Sequence, residues 1–263
     1  MKTTKILSIL MAVLIISSIS SCKKKGCTDP NSLAYDAEAK KDDESCTYPT
    51  SAKKAIVFKT TATWCSYCAD WGTTYANNLS SAYTTAKVIA IHSNDNFSNT
   101  PGDQIRGVLP SAGTPHFYVG TESINNNYSL ITSAVDSELA EAVEVSMAME
   151  NSTNGSAMNV RVQSQWLGST SGEYFLAVYV VEDGQVYEQN TPSGYDQNFV
   201  HDHVLRAEGS DSGFGKAITV SEDGNMEEFD ITLNASWVAA NCYPIAVLWK
   251  KNGSSYDFIN MVY

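Results

Sequence analysis

The stretch TWCSYCADW, at positions 63–71, carries the residues whose types and spacing best suit chemistry. Cys65 and Cys68 are two residues apart, and thiols at this spacing can form a disulfide, hold a metal ion or stay inert in a core. The choice among these depends on the compartment in which the protein resides and on the elements that position the pair.

The N-terminus predicts export. Lys2 and Lys5 precede an apolar run at positions 6–16 that is too short for a stable membrane anchor, which indicates a signal peptide over residues 1–21. The I-S-S-C that follows resembles a bacterial lipobox with Cys22 as the lipid acceptor, and an ordinary secretory signal with a chance cysteine is the alternative. With a lipobox, acyl chains alone attach the protein to a membrane.

The composition is that of an acidic globular protein, with 43% hydrophobic residues and a formal net charge of −12. Such a surface repels nucleic acid and anionic lipid, and no basic patch counteracts this. We therefore expect no nucleic-acid partner and no membrane contact beyond the lipid anchor.

The elements around the cysteine pair favour redox chemistry. The apolar strand KAIVFKTTA ends just before the pair, and the segment from Cys68 onwards has the pattern of a helix. A thiol at a helix N-terminus lies near unpaired N–H groups that favour its thiolate. Cys65 is therefore predicted to attack a disulfide and Cys68 to resolve the product. A structural disulfide remains the alternative, and no metal is expected because a second ligand pair is missing.

Two folding regions follow from the hydrophobic pattern. Residues 53–145 alternate between strands and helices, the last helix carrying Leu130, Ala134, Leu139 and Val143 near helical spacing. Residues 146–263 consist of short alternating runs separated by turn residues, which is typical of an antiparallel sandwich. The predicted fold is an α/β domain followed by an all-β sandwich domain.

Residues 22–52 form a predicted tether without apolar periodicity. The segment resembles a short module, C-T-D-P-x-A-x-N-Y…D-D-G-S-C, found in secreted and surface proteins of Bacteroidetes. A Cys27–Cys46 disulfide is expected to close it, since little else would hold the loop together. Calcium at its acidic residues is one interpretation. A solvated acidic loop is the one we prefer, because the spacing matches no EF-hand. The acidic residues are Asp29, Asp36, Asp42 and Asp43.

The W-C-S-Y-C of residues 64–68 and the later G-T-P-H-F-Y together resemble the thioredoxin superfamily over residues 53–145. The resemblance implies that Trp64 flanks the redox pair, that Pro115 follows a cis peptide bond and that the backbone of Thr114 pairs with substrate. Ser-Tyr replaces the Gly-Pro of thioredoxin between the cysteines. Lys59 takes the place of a buried acid, either buried itself or extending to the strand edge.

The histidines and the last cysteine are interpreted as mainly structural. His92 and His116 could move protons near the pair, but a lone histidine is more often structural. The segment NFVHDHVLR places His201 and His203 on one predicted strand face, with Arg206 available to pair with an acid. Cys242 is expected to be a buried free thiol.

The whole arrangement resembles the Omp28-related outer-membrane lipoproteins of Bacteroidetes, through the lipobox, W-C-x-x-C, V-H-D-H-V-L-R and the final I-A-V-L-W…F-I-N-M-V-Y pair. The resemblance implies a location in the cell envelope. We predict an envelope-anchored thiol–disulfide oxidoreductase without cofactor, acting on thiols or disulfides of exported proteins. The alternative is a surface lipoprotein for adhesion or assembly whose Cys65–Cys68 bond is only structural.

Overall fold

The computed structural model describes residues 23–168 and 170–263, which belong to two compact units. The first unit ends at Thr47, and the second extends from Tyr48 to Tyr263. The predicted signal peptide and the predicted lipid acceptor Cys22 lie outside the described residues. Within the described ranges, no helix is both long and apolar enough to cross a membrane.

The first unit is a small loop module closed by a disulfide between Cys27 and Cys46, the pairing expected from the sequence. Cys27 and Leu33 are fully buried, and the hydroxyl of Ser32 accepts the backbone N–H groups of Ala34 and Thr47. One disulfide and a few internal hydrogen bonds therefore organise a segment that lacks an extended core.

The acidic side chains of this module form local turns. Each of their carboxylates accepts the backbone N–H of the residue two positions later, as in an Asx turn. Across the described part of the chain, no three His, Cys, Asp or Glu residues are grouped so that they could hold a metal ion. The structure thus gives the four aspartates a role in shaping the loop. They are Asp29, Asp36, Asp42 and Asp43.

The second unit begins with alternating strands and helices and continues with strands. Its α-helices are α1 Thr73–Ala82, α2 Thr100–Val108 and α3 Tyr128–Leu139. Its first seven strands are β1 Ala55–Thr61, β2 Ala86–His92, β3 His116–Val119, β4 Glu122–Ile124, β5 Val145–Asn154, β6 Ala157–Trp166 and β7 Tyr174–Glu182. The others are β8 Gln185–Thr191, β9 Gly194–His201, β10 Val204–Glu208, β11 Lys216–Ile218, β12 Asn225–Thr232, β13 Cys242–Asn252 and β14 Ser255–Val262.

One large mixed sheet contains strands from both predicted regions, in the order β14-β13-β7-β10-β2-β1-β3-β4, with β11 beside β7. β1 runs parallel to β2 and antiparallel to β3. β10 joins the sheet where Val204 pairs with Ala90 of β2. The sequence predicts a sandwich domain separate from the α/β domain, whereas in the structure strands of both regions share this one sheet. The reason is that β10 covers an edge of β2 that would otherwise expose unpaired backbone groups.

β1 is buried along its whole length because both faces of the sheet are covered. On one face, the ring of Phe58 stacks on Trp249 at a centroid distance of 6.0 Å. On the other face, Val57 shares a core with Leu79 of α1 and Ile131 of α3. The continuous apolar run of this strand therefore reflects burial from two sides.

A three-stranded antiparallel sheet, β12-β6-β5, forms the second layer over the C-terminal strands of the large sheet. Alternate residues of β6 are buried, so Val160 and Val162 pack in one core with Val178 and Val180 of β7. The third sheet is the hairpin β8-β9. The alternating pattern correctly predicts antiparallel strands here, arranged in two layers.

The buried face of α3 is not the predicted one. Ile131 and Val135 are fully buried, whereas Leu130 is 49% exposed. The helix ends at Leu139, so Val143 lies beyond it. Apolar residues occupy two neighbouring stripes of this helix, and only packing against β1 and β3 selects between them.

Candidate redox site

The cysteine pair lies where β1 gives way to the first helical segment. β1 ends at Thr61, and a tight turn brings Cys65 and Cys68 together in a disulfide with a Cα–Cα distance of 5.3 Å. Cys65 is 6% exposed and Cys68 is 1% exposed. Both residues are buried, and Cys65 is the slightly more accessible of the two, in the order that an attacking and a resolving thiol require.

The helix after the pair is kinked, which the sequence did not indicate. A π-helical turn, Cys68–Gly72, precedes α1, and Asp70 has non-helical dihedral angles (φ −86°, ψ −107°). Threonine hydroxyls satisfy carbonyls at the kink, since Thr73 donates to Cys68 and Thr74 donates to Asp70. A hydroxyl that bonds back to the preceding turn commonly accompanies a bend in a helix.

A loop from β3 faces the pair. The peptide bond between Thr114 and Pro115 is cis, as the sequence predicts. The carbonyl oxygen of Thr114 lies 3.4 Å from the Sγ of Cys65, and the backbone N–H of Cys68 is directed at the same sulfur at 3.2 Å. A Cβ on Gly72 would lie 3.0 Å from the ring of Pro115. The kinked helix and the proline loop are therefore in close contact.

Two aromatic side chains beside the pair are exposed. Trp64 is 48% exposed and Tyr67 is 62% exposed. The indole N–H of Trp64 donates to the carbonyl oxygen of Ser93 at 3.1 Å, which holds the ring in place. Together these side chains present apolar surface next to Cys65.

The hairpin β8-β9 holds the cysteine turn from the other side. The buried amide of Gln189 donates to the carbonyl oxygens of Cys65 at 2.9 Å and of Ala62 at 3.3 Å. Asn190 adds a side-chain hydrogen bond to the carbonyl oxygen of Trp64 at 3.0 Å. Sequence reasoning missed both residues, because nothing in the local pattern distinguishes them from other polar residues of a strand.

Lys59 is buried, being only 6% exposed, which decides between the two placements considered from the sequence. Burial lowers the pKa of its ammonium group to about 8, and the negative charge of Asp202 opposes that shift. Lys59 and Asp202 line one small cavity with Cys68. A base therefore lies behind the cysteine pair, where the sequence resemblance led us to look for an acid.

Three histidines, His92, His201 and His203, border the same cavity. Burial lowers the pKa of His92, although its Nδ1 lies 2.7 Å from a carboxylate oxygen of Asp95. Burial, followed by the neighbouring charge of His92, lowers the pKa of His201 to about 4. The Nε2 of His201 is buried without a hydrogen-bond partner among the described residues.

The prediction that His201 and His203 share a strand face is wrong. His201 ends β9 and packs against the ring of His92 at 5.6 Å. His203 follows in a left-handed conformation (φ 63°), and its Nε2 lies 3.1 Å from the hydroxyl of Ser80 on α1. His203 thus lies beyond the end of the strand, although both imidazoles border the cavity behind the disulfide.

The remaining candidates have structural contacts. The Nε2 of His116 lies 2.8 Å from the hydroxyl of Ser123, and burial lowers the pKa of this histidine. The guanidinium of Arg206 pairs with the carboxylate of buried Glu182 at 3.1 Å, so this arginine has the acidic partner that was expected. Cys242 is a free, partly buried thiol whose pKa is raised to about 11 by burial.

Comparison with known families identifies the chain. The model of the family described as outer membrane protein Omp28 matches residues 103–262, which is more than half of the chain. The protein belongs to the Omp28 family. Membership confirms the predicted location at the outer membrane in the cell envelope. The lipid acceptor Cys22 lies outside the described residues and stays a prediction.

Solved structures support the fold of this Omp28-family protein. HBP35 of Porphyromonas gingivalis matches with a TM-score of 0.68 and 16% identity, over 82% of this chain and 76% of that one. A structural-genomics protein from Agrobacterium tumefaciens matches with a TM-score of 0.52 and 13% identity, over 81% of this chain and 94% of that one. No curated protein sequence matches the chain. These likenesses concern the fold alone.

Proposed function

We propose that this Omp28-family protein is a thiol–disulfide oxidoreductase of the cell envelope that acts on exported proteins. The observation that supports it is the setting of Cys65. This residue is bonded to Cys68 at the start of a helix, and its sulfur lies 3.4 Å from the Thr114 carbonyl that precedes Pro115. A substrate segment in extended form can pair with backbone at that loop, beside the reactive sulfur.

The chemistry follows from the two environments of the sulfurs. In the dithiol form, the N–H of Cys68 and the N-terminal end of the helix favour the thiolate of Cys65. This thiolate attacks a substrate disulfide, and Cys68 then attacks the mixed disulfide. The exposed rings of Trp64 and Tyr67 offer apolar contact to the substrate chain.

The experiment that tests the proposal is trapping in cells. Cys68→Ser leaves Cys65 without its resolving partner, so we expect mixed disulfides with exported proteins on non-reducing gels. Cys65→Ser, Cys242→Ser and the double variant Cys65→Ser/Cys68→Ser are matched controls that should trap nothing. Mass spectrometry of the trapped bands identifies the partner proteins.

The competing function is a surface lipoprotein for adhesion or assembly with a structural bond between Cys65 and Cys68. It is favoured by the burial of both sulfurs and by the hydrogen bond of Gln189 to the turn. A reduction potential below about −300 mV together with no trapped partner would support this function and refute the oxidoreductase.

A further inference from the structure

The cavity behind the disulfide has no role in the exchange chemistry described so far. It has a volume of about 20 Å³ and lies between Cys68 and Lys59 of β1, with His92, His201 and Asp202 in its walls. A cavity of this size has room for about one water molecule, provided that polar groups line it. Here they do, and because Lys59 and Cys68 line the same cavity, one water molecule there can carry a proton between the amine and the sulfur.

The amine of Lys59 is free to take part in proton transfer. The charged neighbour of its ammonium group is Asp202, and within residues 23–168 and 170–263 no hydrogen bond or ion pair of this group is formed. Burial penalises the charged form, so a neutral fraction exists close to neutral pH. A neutral amine in a buried site is a competent general base, because its pKa is close to the working pH.

The three histidines of the cavity are less suited to accept the proton. Both ring nitrogens of His203 already have partners, since Nε2 lies 3.1 Å from the hydroxyl of Ser80 and Nδ1 lies 3.4 Å from a carboxylate oxygen of Asp183. His201 has a pKa of about 4 because of burial and the charge of His92, so it is a weak base at neutral pH. His92 is engaged by Asp95, whose carboxylate lies 2.7 Å from its Nδ1. Asp202 is an acid whose carboxylate accepts the backbone N–H of Gly184 at 2.8 Å. Lys59 is thus the best base in the cavity.

We propose that Lys59 accepts the proton of the Cys68 thiol when this residue resolves the mixed disulfide. The inference rests on the proposed function, because it assigns a role within that reaction. Lys59 does not contact the substrate. It is a positioning residue that acts through Cys68, by holding the proton that this thiol gives up.

In this reaction the dithiol form of the protein reduces a substrate disulfide. Cys65 already carries one substrate sulfur, and the other has left as a thiol. The proton of Cys68 passes to the amine of Lys59, directly or through one water. The resulting thiolate attacks the Sγ of Cys65, so the Cys65–Cys68 bond forms and the bond to the substrate sulfur breaks. The second substrate thiolate leaves and takes a proton from solvent, and Lys59 later returns its proton to solvent.

The experiment follows each thiol separately. Protein with Cys242→Ser and a selectively reduced Cys65–Cys68 pair is mixed with dithiobis(nitrobenzoate), an aromatic disulfide that releases a coloured thiolate at each step. The first release reports attack by Cys65, and the second reports resolution by Cys68. Both rates are measured by stopped flow between pH 6 and pH 10 for wild type, Lys59→Met, Lys59→Arg and the control Lys87→Met.

We expect Lys59→Met to slow the second release at least tenfold near pH 7, in line with the usual contribution of general base catalysis. The first release should change less than about twofold. Lys59→Arg keeps a positive charge but cannot accept a proton, so it should be as slow as Lys59→Met. Lys87→Met, on the neighbouring strand outside this cavity, should match wild type.

Two outcomes overturn the inference without touching the proposed function. The first is a second release at the wild-type rate in Lys59→Met. The second is a slow second release in Lys59→Met that returns to the wild-type rate in Lys59→Arg, which would show that the positive charge alone matters. A wild-type protein that shows no first release would instead refute the proposed function. If Lys59→Met fails to fold, Lys59→Arg and the wild-type pH profile still decide, because the proposal requires the second rate to rise as Lys59 loses its proton.

Discussion

The side-chain amide of Gln189 donates a hydrogen bond of 2.9 Å to the carbonyl oxygen of Cys65. Gln189 lies in β8 and Cys65 lies in the turn after β1, so this contact joins the hairpin β8-β9 to the cysteine turn. The hairpin therefore helps to determine the position of the disulfide.

Gln189→Ala is expected to weaken this attachment. Three carbonyl groups, those of Ala62, Cys65 and Asn190, lose a donor, which costs about 1–3 kcal/mol of unfolding free energy. Urea unfolding measures the loss, and the rate of dithiothreitol reduction should rise because the turn is less well held. The exposed Gln197 of the same hairpin provides the control, and equal effects of Gln189→Ala and Gln197→Ala would contradict the prediction.

Gly72→Ala tests the contact between the kinked helix and the proline loop. The added Cβ would lie 3.0 Å from two ring carbons of Pro115, so the loop must move or the protein loses about 1–3 kcal/mol of stability. Displacement of the loop should slow the reaction of Cys65 with an aromatic disulfide. Gly107→Ala in α2 is the matched control, since its Cβ has no neighbour within 4 Å and should stabilise the helix by about 0.5–1 kcal/mol. A harmless Gly72→Ala would show that the contact is not needed.

His201 should make the protein sensitive to acid. Its pKa falls from 6.5 in the unfolded chain to about 4 in the folded protein, mainly through burial. Between these values the unfolded state binds more protons, so stability decreases as the pH falls, by at most about 1.4 kcal/mol per pH unit. His201→Phe should remove this part of the slope between pH 6.5 and about 4.

Urea unfolding of His201→Phe at several pH values provides the measurement. At pH 8 the histidine is neutral in both states, so a difference there reports packing alone. Replacement by phenylalanine also removes the buried Nε2 that lacks a partner and keeps a ring beside Phe97 and Phe199. An unchanged acid slope in the variant would show that His201 does not cause the effect.

Arg206→Met should be strongly destabilising. It leaves the fully buried Glu182 without its cation, and loss of one partner of a buried ion pair costs about 3–5 kcal/mol. Burial already raises the pKa of Glu182, so the variant should regain some stability as the pH falls and the carboxyl group becomes protonated. The double variant Glu182→Gln/Arg206→Met should recover part of the loss. Additive effects of the two substitutions in thermal unfolding would show that the pair does not interact.

Local patterns predict much of the fold. The apolar run of β1, the helix after the cysteines and the alternation in β6 each depend on neighbours within a few residues. The kink at Asp70 and the buried stripe of α3 were not predicted, because both arise from packing against other elements. At such positions the local sequence is compatible with several helix geometries and several buried faces, and contacts with other elements select one of them.

Residues adjacent in the chain encode the cysteine spacing, the strand–helix junction and the downstream Thr114–Pro115 dipeptide, so local pattern is enough to predict these features. The burial of Lys59 in the cavity that Cys68 also lines, and the positions of Gln189 and His201 at the same site, depend on the three-dimensional fold. These residues come from separate strands, β1, β8 and β9. Hydrogen bonding and burial bring them together, and no short-range pattern records such contacts.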